Sequence, residues 1–340
     1  MRTLYPFIAL VPVALFACDP GPPSASSAST TAITAAAPTT TGASTTKPNS
    51  TPASTPTGNA SGTPVAATTG FTIGQIAAVN NRGCTLVSAD DKNVYARVGE
   101  HNEILVVNRS TGQTEIKPLS THTYLQTVVN GAAYGCSPAE SQCSLIRIPL
   151  DGGERKRIGN YAAIVDNRNT ALGTKLAAVF APIGQDGYPD LTVGRFTVET
   201  VDLVSAERSL VFGPTGTGSA ALTPKGVLFN GALVPKENIA SESWGLWHLN
   251  SKKPQKIPVT EQVRAMTGDE THVYFIGDYT RVRRIAWEGS TVEPVTEPLP
   301  EPPLEERKER MRPALVAVDK HLYASTSSAG TCWIWEITQP

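Results

Sequence analysis

Short apolar runs recur between residue 71 and the end of the 340-residue chain, and turn-forming polar residues separate them. Each repeat has a turn rich in Gly, Asn, Asp or Pro, followed by a β-prone run that carries an aromatic residue. These residues are Tyr95, Tyr134, Phe180, Phe229, Tyr274 and Tyr323. Consecutive members lie 39 to 49 residues apart, which is the repeat length of four-stranded propeller blades. The pattern predicts an all-β fold, a six-bladed β-propeller. Seven blades are the alternative if the segment 181–195 contains further strands.

Each repeat continues with a second β-prone run, a tight turn and an outer run, as a four-stranded blade requires. The last repeat, around Tyr323, has no outer run after it, whereas a spare β-prone run at 71–78 precedes the first repeat. We therefore expect the N-terminal run to complete the last blade. Closing the ring in this way removes an exposed sheet edge.

Four cysteines lie in the propeller segment, and they allow three pairings into two disulfides. Counting strands outwards from the axis places Cys84 and Cys332 on the same face of adjoining blades, at the seam of the ring. Cys136 and Cys143 flank one turn of the second blade. The count predicts the pairs Cys84–Cys332 and Cys136–Cys143, with free buried cysteines as the alternative.

The segment before the propeller has a different composition. A lone basic residue, Arg2, precedes an apolar run that ends in Leu15-Phe16-Ala17-Cys18, an arrangement typical of export signals. This ending resembles the lipobox of bacterial lipoproteins, and the resemblance implies a signal peptide at 1–17 and lipidation of Cys18. An ordinary signal peptide or a membrane-spanning anchor is the alternative.

Residues 18–70 are almost entirely Ser, Thr, Ala, Pro and Gly, and their only charged side chains are Asp19 and Lys47. Such a composition buries too little apolar surface to offset chain entropy, so we expect a disordered tether to a propeller domain at 71–340. Together with the lipobox, it predicts a lipid-anchored protein of a Gram-negative cell envelope, on the periplasmic side or at the cell surface.

Candidate chemistry is sparse in the propeller segment. The formal net charge of −1 gives no electrostatic footprint for nucleic acid, and no nucleophile-elbow or zinc-protease motif is present. We expect no metal, although the oxygens of 185–190 offer a weak calcium alternative. No cofactor is expected either.

Three long connections, at 181–195, 230–244 and 296–313, fall on one face by the strand count. Function concentrates on such loops, so we expect this face to contact a partner. The candidate contact residues are Tyr188, Asp190, Trp244, Tyr279 and Arg281.

The unit Asp-x-x-x-Val-Tyr occurs at Asp90–Tyr95 and at Asp269–Tyr274, and the turn Leu150-Asp151-Gly152-Gly153 follows another strand. In these units and in its period the chain resembles TolB-like six-bladed propellers. The resemblance implies a non-enzymatic module that binds a protein or an envelope polymer. The alternative is a propeller hydrolase or lactonase-like enzyme with a site in the central tunnel, although the inner runs supply no converging carboxylates.

Overall fold

The computed structural model describes residues 70–80, 83–99, 103–119, 124–137, 144–160, 170–182, 190, 192, 194–234, 243–250, 253–277, 280–299, 313–328 and 331–339. These residues form strands and turns, with no α-helix among them. A helix long and apolar enough to cross a membrane is thus not found in the described part of the chain. Cys18, the tether and Cys143 lie outside these residues.

Six four-stranded antiparallel sheets make up the fold, each with its strands in sequence order except the last. Blades one and two contain β2 (Cys84–Ala89), β3 (Asn93–Val98), β4 (Glu103–Asn108), β5 (Thr114–Pro118), β6 (Tyr124–Val129), β7 (Ala132–Ser137), β8 (Ser144–Pro149) and β9 (Lys156–Asn160). Blades three and four contain β10 (Ala171–Leu172), β11 (Lys175–Phe180), β12 (Phe196–Asp202), β13 (Arg208–Thr215), β14 (Gly218–Thr223), β15 (Gly226–Ala232), β16 (Trp244–Leu249) and β17 (Pro254–Ile257). Blade five contains β18 (Ala265–Gly268), β19 (His272–Ile276), β20 (Val282–Ala286) and β21 (Glu293–Pro294). The prediction of a six-bladed β-propeller is confirmed.

Blade six joins the two ends of the propeller segment. It contains β22 (Ala314–Val318), β23 (His321–Ser328), β24 (Thr331–Thr338) and, as its outer strand, β1 (Thr72–Val79). The antiparallel register of β1 runs from Thr72 opposite Thr338 to Val79 opposite Cys332. The expected closure of the ring by the N-terminal strand is therefore confirmed.

The hydrophobic core lies between the blades. The described residues form six apolar clusters, and each draws its members from two neighbouring blades. The six aromatic residues of the repeat all lie on the second strand of a blade and are buried: Tyr95, Tyr134, Phe180, Phe229, Tyr274 and Tyr323. The period of 39 to 49 residues is thus the spacing of the aromatic side chains that pack between neighbouring blades.

A disulfide joins Cys84 on the inner strand of blade one to Cys332 on the third strand of blade six. Both residues are buried, and their Cα atoms are 5.3 Å apart. Ser327 adds to this seam, since its hydroxyl donates to Cys84 O at 3.0 Å. The predicted Cys84–Cys332 pair is confirmed, whereas Cys143 lies outside the described residues, so the Cys136–Cys143 pair stays a prediction.

Candidate binding face and tunnel mouth

The strand order defines two faces of the ring. Inner strands begin, and second strands end, on the face that carries Cys84 and Cys332, which we call the disulfide face. The described ends of the connections β11–β12, β15–β16 and β21–β22 lie on this face. The turns between first and second strands, for example between β2 and β3, lie on the opposite face.

Trp244 is the most exposed of the candidate contact residues that the structure describes. It begins β16 opposite Ala232, at the end of the β15–β16 connection on the disulfide face. Its relative exposure is 47%, whereas Leu246, two residues later on the same side of the strand, is buried between blades four and five. An exposed indole at the end of a rigid strand offers a large apolar contact surface with little conformational freedom.

Asp190 closes the β11–β12 connection. Its backbone N–H donates to Pro182 O at 2.8 Å, and its Oδ1 accepts hydrogen bonds from the N–H and the hydroxyl of Thr192 at 2.9 and 2.6 Å. The carboxylate thus stabilises a turn in the connection. Tyr188, the neighbouring candidate, lies outside the described residues, so the contact role of this segment stays a prediction.

Arg281 pairs with Glu297 across blade five, at 2.8 Å between Nη2 and Oε2. Next to it, the buried Thr280 hydroxyl donates to Leu299 O at 2.6 Å. The ion pair and the hydrogen bond connect the start of the β21–β22 connection to the residues just before β20. Tyr279 lies outside the described residues, and the predicted partner contact of Arg281 remains untested.

On the opposite face, the repeated Asp and Tyr residues bond to each other. Asp269 Oδ1 accepts hydrogen bonds from the N–H groups of Thr271 and His272, and Tyr274 donates to Oδ2 at 2.9 Å. Asp90 makes the same bonds with its own turn, and Tyr95 donates to Asp90 Oδ2 at 2.7 Å. Burial, with the Asp90 hydrogen bond as a second cause, raises the pKa of Tyr95 to about 12. Each aspartate therefore organises its own turn, and Asp269 Oδ2 also accepts a hydrogen bond from Gln339 Nε2 of blade six at 2.9 Å.

A cavity opens along the propeller axis at the disulfide face. Its volume is about 20 Å³, which has room for about one water molecule. Its lining comes from five of the six blades, at or near the start of the inner strands: Leu86, Val87, Thr170, Ser219, Arg264, Ala265, Met266, Pro313, Ala314 and Leu315. We call this cavity the tunnel mouth.

The tunnel mouth has one cationic side chain, that of Arg264, and no carboxylate among its described lining residues. Thr170 is buried, and its Oγ1 has no hydrogen-bond partner. The sequence analysis did not identify Arg264 or Thr170. Each lies just before an inner strand, and no motif within a single repeat distinguishes that position. An alignment of the starts of the six inner strands would have shown that these positions share one end of the propeller axis. Across the described residues, no group of three or more His, Cys, Asp or Glu side chains is placed to hold a metal ion.

No protein-family model matches the chain, and no curated protein is similar to it in sequence. Solved structures do share the propeller. A gluconolactonase from Xanthomonas campestris is 10% identical with a TM-score of 0.52, over 79% of this chain and 90% of that one. Virginiamycin B lyase from Staphylococcus aureus is 12% identical with a TM-score of 0.47, over 79% and 100%. A chain of the nidogen/laminin complex is 12% identical with a TM-score of 0.43, over 66% and 82%.

The likeness to the gluconolactonase corrects one expectation. We expected a non-enzymatic protein, because familiar catalytic motifs are absent from the sequence. That expectation is wrong, since the same fold carries catalysis in the gluconolactonase. At these identities the likeness shows the fold alone, so it assigns no reaction or substrate to this chain.

Proposed function

We propose that this protein is a lipid-anchored binding module of a bacterial cell envelope, and that its disulfide face contacts a protein or an envelope polymer. The lipobox resemblance at Leu15–Cys18 and the Ser/Thr/Pro-rich segment up to residue 70 support an anchor with a long tether. The TolB-like repeat unit supports an envelope role for the propeller.

The observation that carries this proposal is the exposure of Trp244 at the end of one of three long connections on a single face. Tryptophan is among the residues most enriched at the energetic centres of protein interfaces. It also stacks well on flat apolar surfaces of ligands. The turns of the opposite face hold their polar groups in internal hydrogen bonds, as at Asp90 and Asp269, so that face offers fewer groups to a partner.

A photo-crosslinking amino acid placed at Trp244 in the native host tests the proposal. Val204 is the matched control, because it is 71% exposed but lies in a β12–β13 turn on the opposite face. We expect a discrete crosslinked species from position 244 and none from position 204. In a separate experiment without the crosslinking amino acid, Trp244→Ala should lower recovery of the same partner with the affinity-tagged chain at least about tenfold, as expected for a central aromatic contact.

Equal crosslinking from both positions, or no crosslink from position 244 in cells that contain the full chain, would contradict the proposal. A partner that the affinity-tagged Trp244→Ala chain still recovers at full yield would show that the contact surface lies elsewhere.

A second candidate is a hydrolase or lactonase-like enzyme that acts in the central tunnel. The fold shared with the gluconolactonase favours this candidate, whereas the tunnel mouth has a volume of only about 20 Å³. Its described lining contains no His, Asp or Glu side chain to serve as a general base. The geometry therefore supports a contact at the disulfide face more directly than hydrolysis in the tunnel.

A further inference from the structure

We propose that the opposite face of the propeller docks on the phospholipid bilayer that holds the lipid anchor, with Leu172 and Val204 of blade three in contact with the lipid. This inference rests on the proposed anchor and adds an orientation to it. In that orientation the disulfide face, with Trp244, is directed away from the membrane and is accessible to a partner.

Exposed apolar side chains are concentrated on blade three. The described residues include four large apolar side chains that are exposed, namely Leu172, Val204, Leu210 and Trp244. All but Trp244 belong to blade three. Leu172 and Val204, with exposures of 44% and 71%, lie at the two hairpin turns of this blade on the opposite face. The Leu203 N–H donates to Thr174 O at 2.8 Å, so the two turns lie side by side.

The fold does not require an apolar residue at position 204. Blade one makes the same turn at Asn108–Gly112, where Ser110 takes the place of Val204. Blade three also keeps Ala206 at a φ of 65°, where blade one has Gly112 at 67°, although residues with a Cβ rarely adopt this conformation. The apolar character of the blade-three turn therefore needs a reason outside the fold, and exposed apolar patches mark contact surfaces.

The backbone donors of this turn are already bonded within the protein. The N–H groups of Val204 and Ser205 donate to Asp202 Oδ1, each at 2.9 Å. The Ala206 N–H donates to Asp202 O at 2.8 Å, and the Glu207 N–H donates to Ser205 Oγ at 3.3 Å. Lipid offers few hydrogen-bond partners, so polar groups that approach it must be bonded internally. This turn meets that condition.

Charge supports the same occupant. Three exposed lysines, Lys175, Lys225 and Lys253, lie at the ends of blades three and four on the opposite face. The described turns of these ends carry two carboxylates, Asp202 and Glu207, and Asp202 Oδ1 is bonded within its turn. Basic side chains beside apolar ones allow a surface to contact anionic headgroups and the acyl boundary together.

The N-terminal strand links the anchor to this same face. Thr72, the first residue of β1, pairs with Thr338 at the opposite face, whereas Val79 pairs with Cys332 at the disulfide face. The segment that carries Cys18 therefore joins the propeller at the opposite face. Because a tether raises the effective concentration of a surface around the tethered domain, a modest affinity is sufficient for docking.

Fluorescence quenching on vesicles tests the inference. The full chain is made by cell-free synthesis, and sortase joins a glycine tag at its N-terminus to a lipid-linked peptide, whatever the state of Cys18. The vesicles contain phosphatidylethanolamine and phosphatidylglycerol, with and without lipids that carry a nitroxide on the acyl chain. A fluorescent amino acid is encoded at Ser205. Thr111 is the matched control position, because its N–H and hydroxyl make the same contacts in the polar turn of blade one.

We expect nitroxide quenching at position 205 to be at least about threefold stronger than at position 111, since only the apolar turn reaches the acyl boundary. Val204→Ser, which copies Ser110, should reduce quenching at position 205 at least about twofold, because less apolar area contacts the lipid. The further change Leu172→Ser should lower it to the level of position 111. The Tm of Val204→Ser should equal that of the wild type, because blade one forms the same turn with serine.

Equal quenching at positions 205 and 111, or full quenching at position 205 in the double variant, would overturn the inference. A label at 205 that responds to protein concentration without vesicles would also overturn it, since a second copy would then cover the patch. The intact mass of the chain purified from its native host tests acylation of Cys18 by itself. The anchor and the docking can therefore fail separately.

Discussion

Asp269 shows how a single residue organises a turn and a blade contact together. One carboxylate oxygen accepts two backbone N–H groups of its own turn, and the other accepts Tyr274 and, from blade six, Gln339 Nε2 at 2.9 Å. Burial acts to raise the pKa of Asp269. The hydrogen bonds from Gln339 and from the backbone of His272 and Thr271 outweigh burial and lower that pKa below its ordinary value. The ionised carboxylate is thus the form that stabilises the fold.

Asp269→Asn should lower the free energy of unfolding by about 1–2 kcal/mol at pH 7, because hydrogen bonds to a charged acceptor become bonds to a neutral one. The folded-state pKa is the lower one, so the contribution of Asp269 is fully present above its unfolded pKa near 3.9. It is lost as the pH falls through the folded pKa. Urea unfolding between pH 7 and pH 3 measures this, and the gap between wild type and variant should shrink below about pH 4.

Asp151→Asn is the control for that series. Asp151 is exposed, and its Oδ1 accepts a hydrogen bond of 3.3 Å from the Gly153 N–H. Its replacement should change stability little at any pH. A gap for Asp269→Asn that widens on acidification would contradict the linkage argument.

At the scale of the element, blade four shows how close two strands must approach around an aromatic side chain. Gly218 of β14 pairs with Gly231 of β15, and the Phe229 ring covers both. A Cβ on Gly231 would lie 2.5 Å from Thr217 O and 2.7 Å from Phe229 Cζ. Glycine is required here by space, since its φ is not in the left-handed region.

Gly231→Ala should therefore destabilise the protein by roughly 1–3 kcal/mol, as overpacking in a close-packed interior does. Gly74→Ala is the matched control in β1, because a Cβ there meets nothing within 4 Å. It should be neutral or slightly stabilising. Urea unfolding at neutral pH compares the two, and equal losses would show that the contact with Phe229 does not set the cost.

At the scale of the whole molecule, blade six decides whether the ring stays closed. It is built from both ends of the propeller segment, and the Cys84–Cys332 bond spans 248 residues beside it. A crosslink that closes so long a loop removes much of the entropy of the unfolded chain, by about 5 kcal/mol in the chain-entropy model. The hydroxyls of Ser325 and Ser327 hold the same seam by bonding to the backbone of Leu86 and Cys84.

Replacing Cys84 and Cys332 together by serine should lower the free energy of unfolding by roughly 3–5 kcal/mol while the propeller still forms. Urea unfolding with and without a reducing agent measures this. The wild type should lose a similar amount on reduction. Reduction of the double variant is the control, because it isolates any contribution of Cys136 and Cys143. A double variant as stable as the oxidised wild type would contradict a stabilising role for the bond.

The sequence by itself determined the blades, the ring closure and the disulfide. Tyr95 and Tyr274 each follow an aspartate within five residues. Because each such turn and strand are contiguous in the chain, the repeat can be recognised in the sequence without knowing which blades pack together. Counting strands from such units was sufficient to place Cys84 and Cys332 together.

Only the tertiary structure decided which polar groups meet on the axis. Thr170, Ser219 and Arg264 come from three blades, and no single repeat marks them, because their proximity depends on the curvature of the closed ring. The same holds for Arg281, whose pairing with Glu297 fastens the start of a long connection. Local periodicity encodes strands and turns, whereas a site on the axis arises from the packing of blades against one another.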